Sequence, residues 1–278
     1  MNNTAFNKIL LTLLFLLLLT PIVASFLLDL QEKKAEEILI KQEENNQKVI
    51  QKMREDVKLR IYLIGKFEPS EQEDFDIIPL KYNIAGYKMY LKKEALNAFS
   101  QMADLAIKDG VELNITSATR NFDYQKNLWN NKWDGITLVE GDDLSQSIQN
   151  EKERFEKILD YSAVPGTSRH HWGTEIDINS VTPKFFETEE GEKVYTWLNK
   201  NASLFGFCQT YNLKGSLRST GYNEEKWHWS YLPLARKFTE DYKRLITDKN
   251  IVGFKGDEHV TSFDLINDYV LGINKECL

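Results

Sequence analysis

The sequence predicts an α+β domain, a small antiparallel sheet with flanking helices, preceded by an N-terminal helix long enough to cross a membrane. Three observations carry that prediction. An uncharged, Leu-rich run covers Ile9 to Leu28. Apolar residues recur at helical intervals between Leu91 and Lys108. Short strand-like stretches cluster later in the chain, after most of the helical patterns, an order that favours α+β over a doubly wound α/β fold. No internal repeat is visible.

Composition bounds the rest. A chain of 278 residues buries a substantial core. With 42% hydrophobic and 28% charged residues it is neither disordered nor collagen-like. A net charge of −7, and no basic patch with interleaved aromatics, argue against a nucleic-acid partner. The two cysteines, Cys208 and Cys277, are too few for a disulfide framework. One bridge between them is conceivable, but Cys208 closes the apolar run Leu204-Phe205-Gly206-Phe207-Cys208, so a small buried thiol is expected.

Residues 1–28 read as a membrane segment. Lys8 precedes an apolar run of roughly 20 residues, the length that spans a bilayer core as a helix. Pro21 inside it is tolerated in a membrane helix. A cleavable signal peptide is the competing reading, with Val23-Ala24-Ser25 as its cleavage site. An uncleaved anchor is preferred because the run continues through Phe26, Leu27 and Leu28. Either way the rest of the chain is exported.

Residues 29–66 read as a helical stalk, rich in Glu, Lys, Gln and Asn, with Ile38, Val49 or Ile50, Met53, Val57 and Ile61 at helical spacing. The polar stretch 41–48 interrupts any sustained coiled coil. An acidic, irregular linker from Phe67 to Phe75 then opens the folded domain, taken as 67–278.

Inside that domain, Leu91–Lys108 is an amphipathic helix ended by Asp109-Gly110, and Val111 to Ile115 alternates like a half-buried strand. A helix starts near Asp123 and runs through Leu128 and Trp129. Trp133 to Ser145 is loop, and Ile148–Tyr161 is helical until Val164-Pro165-Gly166 breaks it. Thr174–Asn179, Gly206–Tyr211 and Trp227–Tyr231 read as short strands.

Two stretches carry chemistry. The first is Ser168-Arg169-His170-His171-Trp172-Gly173-Thr174-Glu175-Ile176-Asp177, and the second is Glu225-Lys226-Trp227-His228. Three of the chain's four histidines lie in them. A histidine beside a tryptophan is ordinarily a packed core residue. Concentrating the histidines beside carboxylates at usable offsets favours metal ligation instead. A catalytic zinc needs three protein ligands, an open position for water, and a base for that water's proton. Alternation puts Glu175 and Asp177 on one strand face and Ile176 and Ile178 on the core face. His171 faces away from His170 in an extended segment and is expected to serve hydrogen bonding or packing.

These motifs resemble the zinc site of the VanY-type D-alanyl-D-alanine carboxypeptidases, within the LAS metallopeptidases that include hedgehog-like domains. The resemblance rests on Ser168-x-His170-x-x-Gly173-x-x-x-Asp177 followed by Glu225-x-Trp227-His228. It extends to Ser117-Ala118-Thr119-Arg120 with Gln125, to the Pro165-Gly166 lead-in, and to Phe205-Gly206-Phe207, covering roughly Leu80 to Leu234.

It implies a LAS/hedgehog-like fold with one zinc held by His170, Asp177 and His228, and with Glu225 as the catalytic base. Arg120 would grip the substrate's terminal carboxylate, with Gln125 and Ser168 lining the same pocket. The implied partner is a peptidoglycan stem peptide, and the implied place is the outer side of a bacterial cytoplasmic membrane. Glu224 is the obvious decoy beside Glu225. Glu175 departs from the family's usual small residue, and Lys226 from its frequent Pro.

The preferred activity is a D,D-carboxypeptidase. An L,D-carboxypeptidase or a peptidoglycan endopeptidase fits the same zinc site, with the Trp133–Ser145 loop expected to wall the pocket. A non-catalytic zinc-containing wall-binding protein is the alternative of another class, disfavoured because Glu225 and Arg120 are both present.

Overall fold

The computed structural model describes residues 3–278 and divides the chain into two units, Met1–Val57 and Lys58–Leu278. The first is the greater part of one helix, α1 (Asn3–Leu63), which continues through Pro21. Its residues from Ile9 to Leu28 are apolar and exposed, and the helix is long and apolar enough to cross a membrane. Beyond them, i,i+4 ion pairs such as Lys33–Asp29 (2.7 Å) and Lys41–Glu37 (2.8 Å) decorate a solvated helix. Such exposed pairs stabilise a helix by only about 0.2–0.5 kcal/mol each.

The second unit starts with the last turn of α1. Leu63 and Ile64 are buried in a core with Trp129, Trp172 and Tyr242. The Tyr62 hydroxyl donates to the Trp172 carbonyl (2.6 Å), and Trp172 Nε1 donates to the Leu63 carbonyl (3.1 Å). The compact unit thus begins inside the segment that composition marks as stalk, since the apolar residues of this turn have tertiary partners.

Two sheets follow. β1 (Phe75–Ile77) and β2 (Tyr90–Lys92) form an antiparallel pair inside the stretch read as linker and its sequel. The main sheet has four antiparallel strands in the order β3 (Ile115–Ser117), β4 (Glu175–Ile178), β6 (His228–Tyr231), β5 (Phe207–Gln209). The fold is therefore α+β, as the sequence predicts.

One face of the main sheet carries Ile176, Ile178, Trp229 and Tyr231 into an apolar core shared with α2 (Lys93–Lys108). α6 (Glu189–Asn201) supplies Val194, Trp197 and Leu198 to the same core. The opposite face carries Glu175, Asp177, His228 and Ser230, all buried. Strand alternation separates the two sets.

α3 (Phe122–Trp133), α4 (Leu144–Ser147) and α5 (Glu151–Leu159) build the second core, around Trp129, Phe155 and Leu144. α7 (Leu232–Leu245) follows β6 directly, with a proline in its first turn, where no backbone N–H is needed.

The structure differs from the sequence expectations elsewhere as well. The strand expected over Val111–Ile115 is reduced to Ile115 onward. The Asn179 side chain takes the Asn114 N–H (2.7 Å) and donates to the Glu112 carbonyl (2.8 Å), which satisfies that backbone without a ladder. α6 and α7 are additional helices. α6 is signalled by the Thr188 side chain capping Gly191 N–H and by three acids in its first turn.

The buried-thiol expectation for Cys208 is also overturned, because Cys208 and Cys277 form a disulfide with Cα atoms 5.7 Å apart. The C-terminal turn lies on β5, where Asn274 N–H donates to the Thr210 carbonyl (2.8 Å), and this contact brings the two cysteines together.

Leu63→Ala in the full chain is expected to cost about 2–5 kcal/mol, the range for truncating a fully buried leucine. Denaturant unfolding of the second unit should move accordingly. An unchanged midpoint would show that the last turn of α1 is not part of the core.

Candidate active site

The register between β4 and β6 assembles the site. Asp177 lies directly across from His228, and Glu175 across from Ser230. His170 reaches the same place from a 3-10 turn, Arg169–Trp172, that ends at Gly173 in the left-handed region (φ 74°). A Cβ at Gly173 would meet the Phe75 ring at 2.4 Å, so both conformation and space require glycine there.

His170, Asp177 and His228 each bring one ligand atom within 4.8 Å of the others, all buried. His170 Nδ1 lies 2.7 Å from the Ala118 carbonyl, so the ring donates there and turns Nε2 inward. His228 works the other way round: Nε2 donates to Glu175 Oε2 (2.9 Å), leaving Nδ1 beside Asp177 Oδ1 (3.4 Å) and Glu225 Oε2 (3.3 Å).

His170 Nε2 and Asp177 Oδ1 are buried with no hydrogen-bond partner among the described residues. Buried polar atoms are normally satisfied, so this pair of orphans beside a third donor is a set suited to a cation. Two imidazoles and a carboxylate are zinc-type donors.

His171 is turned away, as expected. Its Nδ1 donates to the Arg120 carbonyl (2.6 Å) and its Nε2 accepts from Gly166 N–H (3.0 Å). Burial lowers its pKa to about 3, so the ring is neutral. The two adjacent histidines therefore tether the Ala118–Arg120 backbone, and Arg120 N–H closes the tie on the His170 carbonyl (3.2 Å).

Glu175 is fully buried behind His228 and does not line the cleft. It accepts from Ser230 Oγ (2.6 Å) and Thr210 Oγ1 (3.2 Å), and lies 3.4 Å from Arg169 Nε. Burial alone would raise its pKa, but Arg169 and the hydrogen bond from His228 outweigh it and hold the carboxyl down to about 2. Its place in this chain is to fix the tautomer and orientation of His228, as a carboxylate behind a metal-binding histidine does.

Burial lowers the His170 pKa, helped by the Arg120 charge. For Asp177 and His228 burial is likewise opposed: Asp177 is held low chiefly by His170, and His228 is held high chiefly by hydrogen bonds to Asp177 and Glu175.

These groups open on a cleft of about 370 Å³. Arg120, Gln125, Ser168 and Glu225 all line it with the three candidate ligands. Gln125 donates to the Ala163 carbonyl (2.7 Å) and leaves Oε1 buried without a partner, as is Arg120 Nε. Glu224 is directed elsewhere, accepting from the Tyr195 hydroxyl (3.3 Å), whereas Glu225 reaches His228.

The loop Trp133–Ser145 does not wall this cleft. Trp133, Val139 and Leu144 bury into the second core, which pins the loop at the far end of α3. The walls are instead α3, the segment 161–163, and tyrosines including Tyr87, Tyr211 and Tyr222. Tyr211 packs edge-on to His228 with ring centroids 5.1 Å apart. Sequence reasoning passed over these tyrosines, for which no local pattern distinguishes a cleft wall from core.

The VanY family, described as D-alanyl-D-alanine carboxypeptidase, matches residues 88–234. The chain belongs to this family. The Bacillus subtilis protein YodJ, named as a carboxypeptidase, is 30% identical over 176 residues, covering 61% of this chain and 56% of that protein. An Enterococcus faecium D-alanyl-D-alanine carboxypeptidase is 26% identical over 203 residues, covering 69% of this chain and 55% of its own. The chain thus spans a little over half the length of these curated relatives. A solved structure of the LdcB LD-carboxypeptidase is 26% identical with a TM-score of 0.46, covering 66% of this chain and 81% of that one.

Glu175→Ala leaves Arg169 buried without its carboxylate and frees His228 to turn. Removing one partner of a buried pair costs about 3–5 kcal/mol, and denaturant unfolding should report a loss of that size. A loss below about 1 kcal/mol would show that the pair is not the anchor of this face.

Proposed function

We propose that the chain is a zinc-dependent D,D-carboxypeptidase that removes the terminal D-Ala from peptidoglycan stem peptides. The observation that carries this reading is the convergence of His170 Nε2, Asp177 and His228 Nδ1 beside Glu225, in a cleft that also holds Arg120. His170, Asp177 and His228 would hold the zinc. Bound there, the metal would supply Lewis acidity, polarising a carbonyl and lowering the pKa of a water toward about 7.

The chain's own residues supply the rest. Arg120 presents a planar fork to the peptide's terminal carboxylate, the group an exopeptidase must recognise. Gln125 and Ser168 line the same cleft. Glu225, on the cleft side of His228, takes the proton from the attacking water and passes it to the leaving amine. Glu175 holds His228 throughout.

We further propose that α1 anchors the chain in the cytoplasmic membrane with the second unit outside. The Cys208–Cys277 bridge supports export, since disulfides persist in oxidising compartments.

The full chain, purified in detergent, should carry close to one zinc per molecule by elemental analysis. His170→Ala and His228→Ala should each lose it, and full occupancy in either variant would overturn the ligand assignment. Glu225→Gln should keep the metal and lose roughly 10²–10⁴-fold in turnover of a D-Ala-D-Ala peptide, the usual worth of a general base. Glu224→Gln should lose little, and a reversal of the two results would reassign the base.

A further inference from the structure

We propose that the cleft carries a second anion site at Lys132, beside the one at Arg120, and takes peptides bearing a side-chain carboxylate as well as the C-terminal one. The proposal rests on the carboxypeptidase reading and adds a substrate class to it.

Gln125, Leu128 and Lys132 line the cleft from one face of α3, at the i, i+3, i+7 spacing that stacks side chains along a helix. Lys132 is partly buried, and its amine makes no hydrogen bond or ion pair among the described residues. Two lysines near this part of the unit are matched, Lys157 with Glu140 (2.7 Å) and Lys255 with Asp134 (2.6 Å). The acid nearest to Lys132 in sequence, Asp134, is thereby already engaged. Burial lowers the Lys132 pKa, and the Arg120 charge lowers it further. Two cations facing one cleft without carboxylate partners are a mutual penalty that a doubly anionic ligand relieves.

A ligand with two carboxylates can engage both cations. Arg120 precedes the N-terminus of α3, its backbone tied to His170, while Lys132 lies in the helix's last turn. The second carboxylate is placed on the side chain of the residue that precedes the two terminal ones, the first able to carry it in a peptide ending in D-Ala-D-Ala.

The test uses the zinc-loaded full chain in detergent and two sets of N-acylated peptides ending in D-Ala-D-Ala. Within each set the side-chain carboxyl of the preceding residue is either free or amidated. The free acid is expected to exceed the amide at least tenfold in kcat/KM, as a charge-assisted hydrogen bond implies. Lys132→Met should bring that ratio to about one, and Lys132→Arg should keep much of it.

Equal rates for acid and amide in the wild type would overturn the proposal. So would a Lys132→Met loss of equal size on both peptides, which would put Lys132 on the terminal carboxylate with Arg120. Calorimetric binding of the same peptides separates the two readings. Tight, acid-selective binding without cleavage would sink the carboxypeptidase reading alone, whereas equal affinity would sink the second anion site.

Discussion

The pairing of β4 with β6 is the constraint on which the rest of the site depends. Asp177 and His228 are opposite residues on adjacent strands, as are Glu175 and Ser230. Strand side chains alternate with a period of two, so a one-residue slip of β4 would turn Glu175 and Asp177 into the apolar core and bring Ile176 to the cleft. The sheet therefore has one stable register. The core of Ile176, Ile178, Trp229 and Tyr231 on one face enforces the donor geometry on the other.

That polar face is built in depth. The row nearest the cleft holds His170, Asp177, His228 and Glu225, and the row behind holds Glu175, Arg169, Ser230 and Thr210. A buried carboxylate is costly unless charge and hydrogen bonds satisfy it, and Glu175 has both. Arg169 completes the arrangement by donating to Thr239 Oγ1 on α7 (3.0 Å) and stacking over Trp172, which is itself hydrogen-bonded to the end of α1. The exit of the N-terminal helix and the candidate metal site are thus joined through a short run of named contacts, all inside the second unit.

The site divides cleanly by charge. Carboxylates and imidazoles gather at the sheet, and the cations Arg120 and Lys132 face the cleft from just before α3 and from its last turn. Arg120 acts across that boundary, its charge adding to burial in lowering the His170 pKa.

Much of this was legible in the sequence for a physical reason: local patterns report local forces. The twenty-odd apolar residues before Asp29, the periodicity of α2, the alternation of β4, and the spacing of His170, Asp177, Glu225 and His228 are written in the chain. They reach function through the family resemblance they carry. Other features have no local signature. Glu224 and Glu225 are indistinguishable by type, and only the turn that hands one to Tyr195 and the other to His228 separates them. Glu175 stands out in the sequence only as a departure from the family's usual small residue, and its role depends on Arg169, Ser230 and His228 around it. The Cys208–Cys277 bridge, the burial of Leu63, and the absence of loop 133–145 from the cleft all follow from contacts between segments far apart in sequence. Residue types and spacing determined which chemistry the chain can perform, and tertiary packing decided which copy of each residue faces the cleft, because burial and pairing are properties of neighbours that the order of residues does not name.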